Sequence, residues 1–310
     1  MQTQLVIPPL VAYYDFKQAP ITFDFTNFIV SASALATMQS RMSFDLVLIA
    51  DDWRKVTPRE LAYTDADRQW RLWNLINQIV QVVPNLGDFT ITRRPIGEVA
   101  VASFPTFYHP HHTPQIPYLY SLPMDAHKAG ANVRAFRPSA HALKIIDRMF
   151  PDQHNLVTLT MRKAGHDATR DSNLDAWLQF YRELKAKGFR PIIVPDQDDT
   201  LDQRTIARLD WEVFESASMS VDLRLALYTR SRMNYLTNNG IIGILLFSQA
   251  PFCWYSVIVE GTWVASPQYY ENMGISVGSK FPWLDGNQHM FWKPDTLENL
   301  RESLVLLPQL

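Results

Sequence analysis

Hydrophobic residues recur at two different spacings in the first part of the chain, and the two spacings alternate. A stretch rich in small and apolar side chains is typical of a buried helix, and the short apolar run after it predicts a buried parallel strand. A later stretch has apolar residues at helical spacing behind Asp65 or Asp67, either of which suits an N-cap. Alternating helices and strands are typical of a parallel sheet. The predicted elements are helix 25–40, strand 44–50, helix 65–83 and strand 88–93.

The same alternation continues in a clearer form after residue 130. Before it, residues 103–118 contain four prolines, so we expect an irregular but ordered loop near the junction of two halves. We therefore predict two α/β domains, residues 1–130 and residues 131–310. In the second domain the predicted strands are 156–162, 189–195, 211–215, 233–237 and 252–259, and the predicted helices are 172–188, 221–230, 241–248 and 295–306.

Composition narrows the class of protein. With 310 residues, 47% of them hydrophobic, the chain can build one large or two ordinary cores. A net charge of −2 gives no basic face for nucleic acid. The start of the chain lacks the pattern of a signal peptide, and no apolar run approaches the roughly 20 residues that span a bilayer. We expect a cytoplasmic protein without a transmembrane segment, and a buried, inert thiol at Cys253, the one cysteine.

Candidate binding residues follow from the predicted strands of the second half. Parallel α/β sheets bind ligands beyond the carboxyl ends of their strands. The two asparagines and the glycine after strand 233–237 tolerate positive φ, and the next helix directs N–H groups towards a phosphate or carboxylate. An ordinary turn without a ligand is the alternative interpretation. The residues selected in this way are Arg162, Asp196, Thr237, Asn238, Asn239 and Gly240.

Arg162 has the chemistry to bind a diphosphate, because its planar guanidinium can donate two parallel hydrogen bonds. Lys163 and Arg170 lie in the same loop and are candidates to share that role. A surface or interdomain ion pair is the alternative role for Arg162.

The first half offers candidates for a general base. Asp51 and Asp52 close strand 44–50, where a carboxylate could accept a proton, although a solvated turn packed on Trp53 would look the same. His109 belongs to a cluster with His111 and His112, which could supply a base or a substrate contact. The spacing of this cluster matches no zinc-ligand pattern, so we expect no metal site.

Several signatures of other enzyme classes are missing. The sequence has no G-x-G-x-x-G after a strand, no P-loop, no G-x-S-x-G and no His-Glu-x-x-His. A classical dinucleotide enzyme, a P-loop NTPase, an α/β-hydrolase and a zinc protease are therefore not favoured.

Residues 225–240, Leu-Ala-Leu-Tyr-Thr-Arg-Ser-Arg-Met-Asn-Tyr-Leu-Thr-Asn-Asn-Gly, resemble the helix, strand and small-residue donor loop of GT-B glycosyltransferases, in particular heptosyltransferase-like and fucosyltransferase-like members. The resemblance implies two Rossmann-like domains facing across a cleft, and it leaves open whether the last helix crosses back to the first domain. It implies that Arg162 contacts the donor diphosphate and that Asn238 to Gly240 contact the sugar or phosphate. Ser218 and Met219 would contact the base.

The function implied by this resemblance is transfer of a sugar from a nucleotide-sugar donor to a glycan, lipid-linked or protein acceptor. The expected reaction needs no metal and no cofactor, because the nucleotide-sugar is a substrate. A base from the first half, Asp51, Asp52 or His109, would deprotonate the acceptor hydroxyl. An enzyme like the sugar-nucleotide epimerases, or a non-catalytic protein that binds nucleotides or glycans on the same scaffold, are the alternatives.

Overall fold

The structure, a computed structural model, describes residues 7–94, 96–106, 108–111, 121–163, 168–195 and 211–307. The chain forms two compact units, Met1–Phe136 and Arg137–Leu310, called unit 1 and unit 2. The sequence places the boundary between domains after residue 130.

Unit 1 contains a four-stranded parallel sheet in the order β3-β2-β1-β4. The carboxyl ends of β1 and β2 lie side by side, because Asp15 at the end of β1 is opposite Ile49 at the end of β2. Strand β1 was not among the predicted elements, although it is an inner strand of the sheet. The strands are β1 (Leu10–Asp15), β2 (Phe44–Ile49), β3 (Leu86–Thr92) and β4 (Ser103–Phe104).

The first helix of unit 1, Phe25–Met38, is rich in small side chains and is buried along nearly its whole length. The predicted helix 65–83 forms, but it contains one π turn, Leu72–Ile76. Its N-cap is Thr64, not Asp65 or Asp67, because the Thr64 hydroxyl accepts from Asp67 N while the Asp67 carboxylate accepts from Thr64 N. The helices are α1 (Phe25–Met38), α2 (Asp65–Arg71), α3 (Asn77–Val80) and α4 (Ser121–Lys128), with a 3₁₀ turn at Pro58–Ala62.

Unit 2 contains a six-stranded sheet in the order β10-β9-β8-β5-β6-β7, and every described pair of strands is parallel. Strand β9 is shorter than the predicted strand 252–259, and the edge strand β10 was not predicted. The strands are β5 (Leu156–Thr160), β6 (Arg190–Val194), β7 (Glu212–Val213), β8 (Met233–Leu236), β9 (Phe252–Trp254) and β10 (Gln288–Met290).

Helices cover the strands of unit 2, and the predicted helix 241–248 shortens to five residues. The last helix packs on α6 of the same unit, where Arg301 pairs with Glu183. The helices are α5 (Ala140–Met149), α6 (Leu174–Ala186), α7 (Ser216–Met219), α8 (Val221–Arg230), α9 (Ile242–Leu246), α10 (Pro267–Glu271) and α11 (Leu297–Glu302), with 3₁₀ turns at Ala168–Arg170, Trp263–Ala265 and Ser303–Leu306.

The core of unit 2 lies between its sheet and helix α6. Cys253 is fully buried there, opposite Tyr235 of the neighbouring strand β8, and burial raises the pKa of its thiol. Within the described part of the chain, no helix has both the length and the apolar character that crossing a membrane requires.

Candidate functional site

The order of strands in unit 2 defines where a ligand site is expected. From β5 the chain adds β6 and β7 on one side of the sheet, and then β8, β9 and β10 on the other side. The connections that follow β5 and β8 therefore run in opposite directions, and parallel sheets commonly bind ligands between the carboxyl ends of two such strands. The predicted residues around Arg162 and Thr237 follow these two strands.

Arg162 and Thr237 are connected through Ser172, a residue that sequence reasoning did not select. Arg162 N donates to Ser172 Oγ at 2.8 Å, and Ser172 N donates to Arg162 O at 2.9 Å. The same Ser172 Oγ lies 3.2 Å from Thr237 Oγ1. Ser172 thus joins the loop after β5 to the residue after β8, and Arg162 and Thr237 are both buried at this junction.

The Thr237-Asn238-Asn239-Gly240 segment is arranged differently from the sequence-based expectation. Asn238, Asn239 and Gly240 are not among the positive-φ residues. The N–H groups of Ile242 and Gly243 donate to Asn239 O and Gly240 O, so these helix-start donors are already used by the turn. The residues of this turn have negative φ values, and the turn itself accepts both hydrogen bonds. The expected phosphate site at this helix start is therefore not formed by those two N–H groups.

The asparagine side chains of this segment remain available in part. Asn238 and Asn239 are both buried, and Asn238 Nδ2 donates to Val257 O at 3.4 Å. Asn239 Oδ1 is buried without a hydrogen-bond partner. A buried acceptor of this kind is normally satisfied by water or by a ligand. The site around Arg162 thus contains an amide oxygen that can accept from a ligand.

The remaining donor-site candidates occupy different environments. Arg170, in the same loop as Arg162, is buried, whereas Lys163 is exposed. Ser218 is buried and donates to Pro195 O at 2.6 Å, which holds the end of β6, whereas Met219 is exposed. Asp196 lies outside the described residues.

Asp295 anchors the loop that carries Ser172, and the sequence analysis did not select it either. Its Oδ2 accepts from Asn173 N at 2.9 Å and from Trp177 Nε1 at 2.6 Å, and its Oδ1 accepts from Ser256 Oγ at 3.1 Å. Ser256, just beyond β9, has a φ of 53°, a strained value for a serine. In the sequence, Asp295 was noted only as the first residue of the predicted helix 295–306.

In unit 1, four polar side chains meet at the carboxyl ends of β1 and β2, and we call this group the β1 cluster: Asp15, Lys17, Asp51 and Tyr108. Tyr108 OH donates to Asp15 Oδ2 at 3.1 Å, and Lys17 N donates to Asp15 Oδ1 at 2.9 Å. Lys17 Nζ donates to Asp51 Oδ2 at 2.7 Å. Tyr108 follows β4, which joins the sheet on the opposite side of β1 from β2, so the cluster lies at the switch in strand order of this sheet.

Burial and charge shift the titration of the β1 cluster. Burial, and to a smaller extent the charge of Asp51, raises the pKa of Asp15 above its ordinary value. The hydrogen bond to Asp51 raises the pKa of Lys17, which stays an ammonium. Burial and the nearby Asp15 carboxyl raise the pKa of Tyr108, so its phenol stays protonated and donates. A carboxyl with a raised pKa is a stronger base once ionised.

Of the three bases predicted from the sequence, the structure brings only Asp51 into the β1 cluster as a hydrogen-bonded member. Asp52 and His109 are exposed, and His111 N donates to His109 Nδ1 at 3.2 Å. His112 lies outside the described residues. Sequence reasoning missed Asp15, whose signal was the apolar run Leu10–Asp15, a buried strand ending in a carboxylate.

Among the described residues, no group of three or more histidine, cysteine, aspartate or glutamate side chains is placed to hold a metal ion. Independence of metal stays a prediction.

Comparison with known proteins gives a result for structure but not for sequence. No family model matches the chain, and no curated protein matches it significantly. A glycosyl transferase of family 9 from Veillonella parvula DSM 2008 is similar in structure, with a TM-score of 0.52 at 9% identity over 98% of each chain. The ADP-heptose LPS heptosyltransferase II of E. coli gives a TM-score of 0.51 at 9% identity, covering 97% of this chain and 98% of that one.

These similarities define the class of fold. Two units with parallel sheets of Rossmann-like topology, matched over nearly the whole chain by glycosyltransferases, make this a GT-B type of fold. The α/β fold class and the GT-B type of fold that the resemblance implied are confirmed.

Proposed function

We propose that the protein is a glycosyltransferase that takes a sugar from a nucleotide diphosphate-sugar donor. The observation that carries the proposal is the set of buried polar side chains at the switch in strand order of unit 2. Arg162, Thr237, Asn238 and Asn239 follow β5 and β8, the two strands between which such sheets bind ligands. A guanidinium at this edge of the sheet has the positive charge and the planar donor geometry that suit an anionic ligand.

The chemistry of these side chains suits a nucleotide diphosphate. The guanidinium of Arg162 can donate two parallel hydrogen bonds to phosphate oxygens, and the buried Arg170 adds a second positive charge in the same loop. Asn239 Oδ1 can accept from a hydroxyl of the donor ribose or sugar. Ser218 and Met219 stay our candidates for contacts with the base, and Asp196 stays a candidate for the donor site.

In the proposed reaction, the acceptor hydroxyl oxygen bonds to the anomeric carbon of the donor sugar. The bond between that carbon and the diphosphate oxygen breaks, and its electron pair leaves with the nucleoside diphosphate. Arg162 stabilises the negative charge that develops on this leaving group. The proton of the acceptor hydroxyl passes to a protein base. The residues named here supply leaving-group stabilisation without a metal.

We propose Asp15 as that base, with Asp51 as its neighbour in the β1 cluster. Asp15 has a raised pKa, and each of its oxygens receives one hydrogen bond, which leaves lone pairs for the acceptor proton. Asp52 and His109 are exposed and hold no such position. The acceptor itself, whether glycan, lipid-linked or protein, is a hydroxyl compound in this scheme.

Thermal unfolding with a panel of nucleoside diphosphates tests the donor site. A bound nucleotide at a hundredfold excess over its Kd should raise the free energy of unfolding by about 2.7 kcal/mol. Arg162→Lys keeps the charge but loses the planar fork, so we expect binding to weaken by about 2 kcal/mol, or roughly thirtyfold. Arg182→Lys, on the exposed face of α6, is the matched control and should leave binding unchanged.

A protein that none of the nucleotides stabilises, or whose Arg162→Lys variant binds like the wild type, would contradict the proposed donor site. Product analysis then separates transfer from the alternatives. Transfer yields nucleoside diphosphate and a glycosylated acceptor, an epimerase-like enzyme yields a changed sugar, and a binding protein yields neither.

A further inference from the structure

Asp51 has a buried oxygen that no described residue satisfies. Its side chain is 8% exposed, and Oδ2 is bound to Lys17 Nζ at 2.7 Å. The other oxygen, Oδ1, is buried and accepts no hydrogen bond. Leaving a carboxylate oxygen buried and unsatisfied is costly, so proteins usually keep such an atom where water or a ligand donates to it.

The charge around that oxygen restricts which ligand can donate to it. The ionisable groups that interact with Lys17 are Asp15, Asp51 and Asp52, so one ammonium faces three carboxyl groups. That ammonium is already held by Asp51. A carboxylate oxygen accepts hydrogen bonds, so the ligand group that satisfies Oδ1 is a donor, such as a hydroxyl, an ammonium or an amide N–H. A phosphate or carboxylate placed here would meet a net negative charge.

The cluster reaches solvent at Lys17, whose side chain is 22% exposed, whereas Asp15 is buried. Asp51 therefore lies beside the proposed base, with Lys17 holding it in place. A group that donates to Asp51 Oδ1 would be a close neighbour of the hydroxyl that Asp15 deprotonates.

We propose that Asp51 selects the acceptor by accepting a hydrogen bond from a second hydroxyl or an amino group of a neutral or amino-bearing sugar. Acceptors with a phosphate or carboxylate at that point are rejected. This inference rests on the proposed glycosyl transfer, and it adds the class of acceptor: a polyhydroxylated sugar that carries no negative charge beside the reacting hydroxyl.

Saturation-transfer NMR on the full chain tests the proposal. The probes are methyl glycosides of common hexoses and hexosamines, each paired with its 6-phosphate or its uronic acid. We expect saturation transfer to at least one neutral or amino-bearing glycoside and none to its anionic partner. Asp51→Asn removes the negative charge and half of the acceptor capacity, so the signal from that glycoside should be lost.

Two further variants separate selection by Asp51 from simpler explanations. Asp125→Asn makes the same change on the exposed α4 of unit 1 and should keep the signal. Lys17→Gln removes the ammonium, and we expect this variant to reject anionic sugars as the wild type does. If Lys17 instead formed an anion site, the wild type would bind the anionic sugars. Anionic sugars that bind better than neutral ones, no glycoside that binds, or an Asp51→Asn variant that binds like the wild type would each overturn the proposal.

Nucleotide binding, measured on the same proteins, separates this inference from the proposed function. Asp51→Asn should keep the full thermal shift with nucleoside diphosphate, which also shows that the variant is folded. A wild type with a nucleotide shift but no neutral-sugar preference refutes the acceptor class alone. A wild type with the sugar preference but no nucleotide shift refutes the donor site and leaves the role of Asp51 standing.

Discussion

Asp15 is a buried carboxyl group whose titration links the proposed chemistry to the stability of unit 1. Its pKa in the folded protein is raised above the ordinary value of 3.8, chiefly by burial. Between these two values the folded protein holds a proton that the unfolded chain releases. The stability that Asp15 contributes is therefore present below the ordinary pKa and is lost as the pH rises through the raised pKa.

We expect Asp15→Asn to remove that pH dependence, because asparagine does not titrate. Urea unfolding of both proteins from about pH 4 to about pH 8 measures it, as the difference in free energy of unfolding, wild type minus variant. This difference should decrease as the pH rises and then level off. A difference that increases with pH would mean that the folded protein stabilises the ionised form of Asp15.

At the scale of single residues, the sequence could select candidates only where their position follows from the strand pattern. Arg162 and Thr237 come directly after apolar runs, and the rule for parallel sheets places such residues at the ligand edge. Ser172 and Asp295 could not be found in this way. Their roles depend on hydrogen bonds between segments far apart in sequence, such as the bond from Asn173 N to Asp295.

At the scale of elements, Asp295 connects three segments of unit 2. Its carboxylate receives hydrogen bonds from the loop before α6, from Trp177 within α6 and from Ser256 beyond β9. These bonds hold Ser256 in its left-handed conformation and fix the residue next to Ser172. The proposed donor site is therefore supported by the segment that leads into the last helix.

We predict that Asp295→Asn destabilises the protein by about 2 kcal/mol, because the amide NH₂ replaces one acceptor oxygen that faces a buried donor. Urea unfolding at neutral pH measures the change. Glu298→Gln, exposed on the first turn of the same α11, is the control and should change stability by no more than about 0.5 kcal/mol. Equal effects from both variants would show that the network around Asp295 contributes nothing specific.

Elements with a strong pattern were predicted well, and short ones were not. The helix 25–40 and the strand 44–50 match α1 and β2 closely, because both are buried along most of their length. Strands of two or three residues such as β4 and β10 carry too few side chains to show a period. The turn after β8 differs because its asparagines adopt ordinary φ, and composition alone does not choose between permitted conformations.

At the scale of the whole molecule, the carboxyl edges of the two sheets differ in charge. The edge of unit 2 has the buried guanidinium groups of Arg162 and Arg170, and the edge of unit 1 has more carboxyl groups than ammonium groups. The sequence predicted two α/β halves because each repeats the alternation of helix and strand. It did not reveal this difference in charge, since β1 and its Asp15 were not recognised.

Hydrogen exchange should show whether a nucleotide binds unit 2 and not unit 1. With a nucleoside diphosphate bound, we expect slower exchange at 161–163, 172–173 and 237–241 in unit 2, because a ligand suppresses local opening where it binds. The residues of the β1 cluster should keep their exchange rates in the same experiment. Protection confined to unit 1 would place the nucleotide in the wrong unit and contradict the proposed donor site.

The buried thiol of Cys253 gives unit 2 an intrinsic kinetic reporter. Because the sequence contains one cysteine, every reaction of the protein with a thiol reagent occurs at a single sulfur atom, on strand β9 of that sheet. Burial keeps this thiol both protonated and shielded, so labelling must wait for an opening of the core. The labelling rate therefore follows the opening of unit 2 alone, in the wild-type sequence and without an engineered cysteine, and any ligand of that unit should slow it.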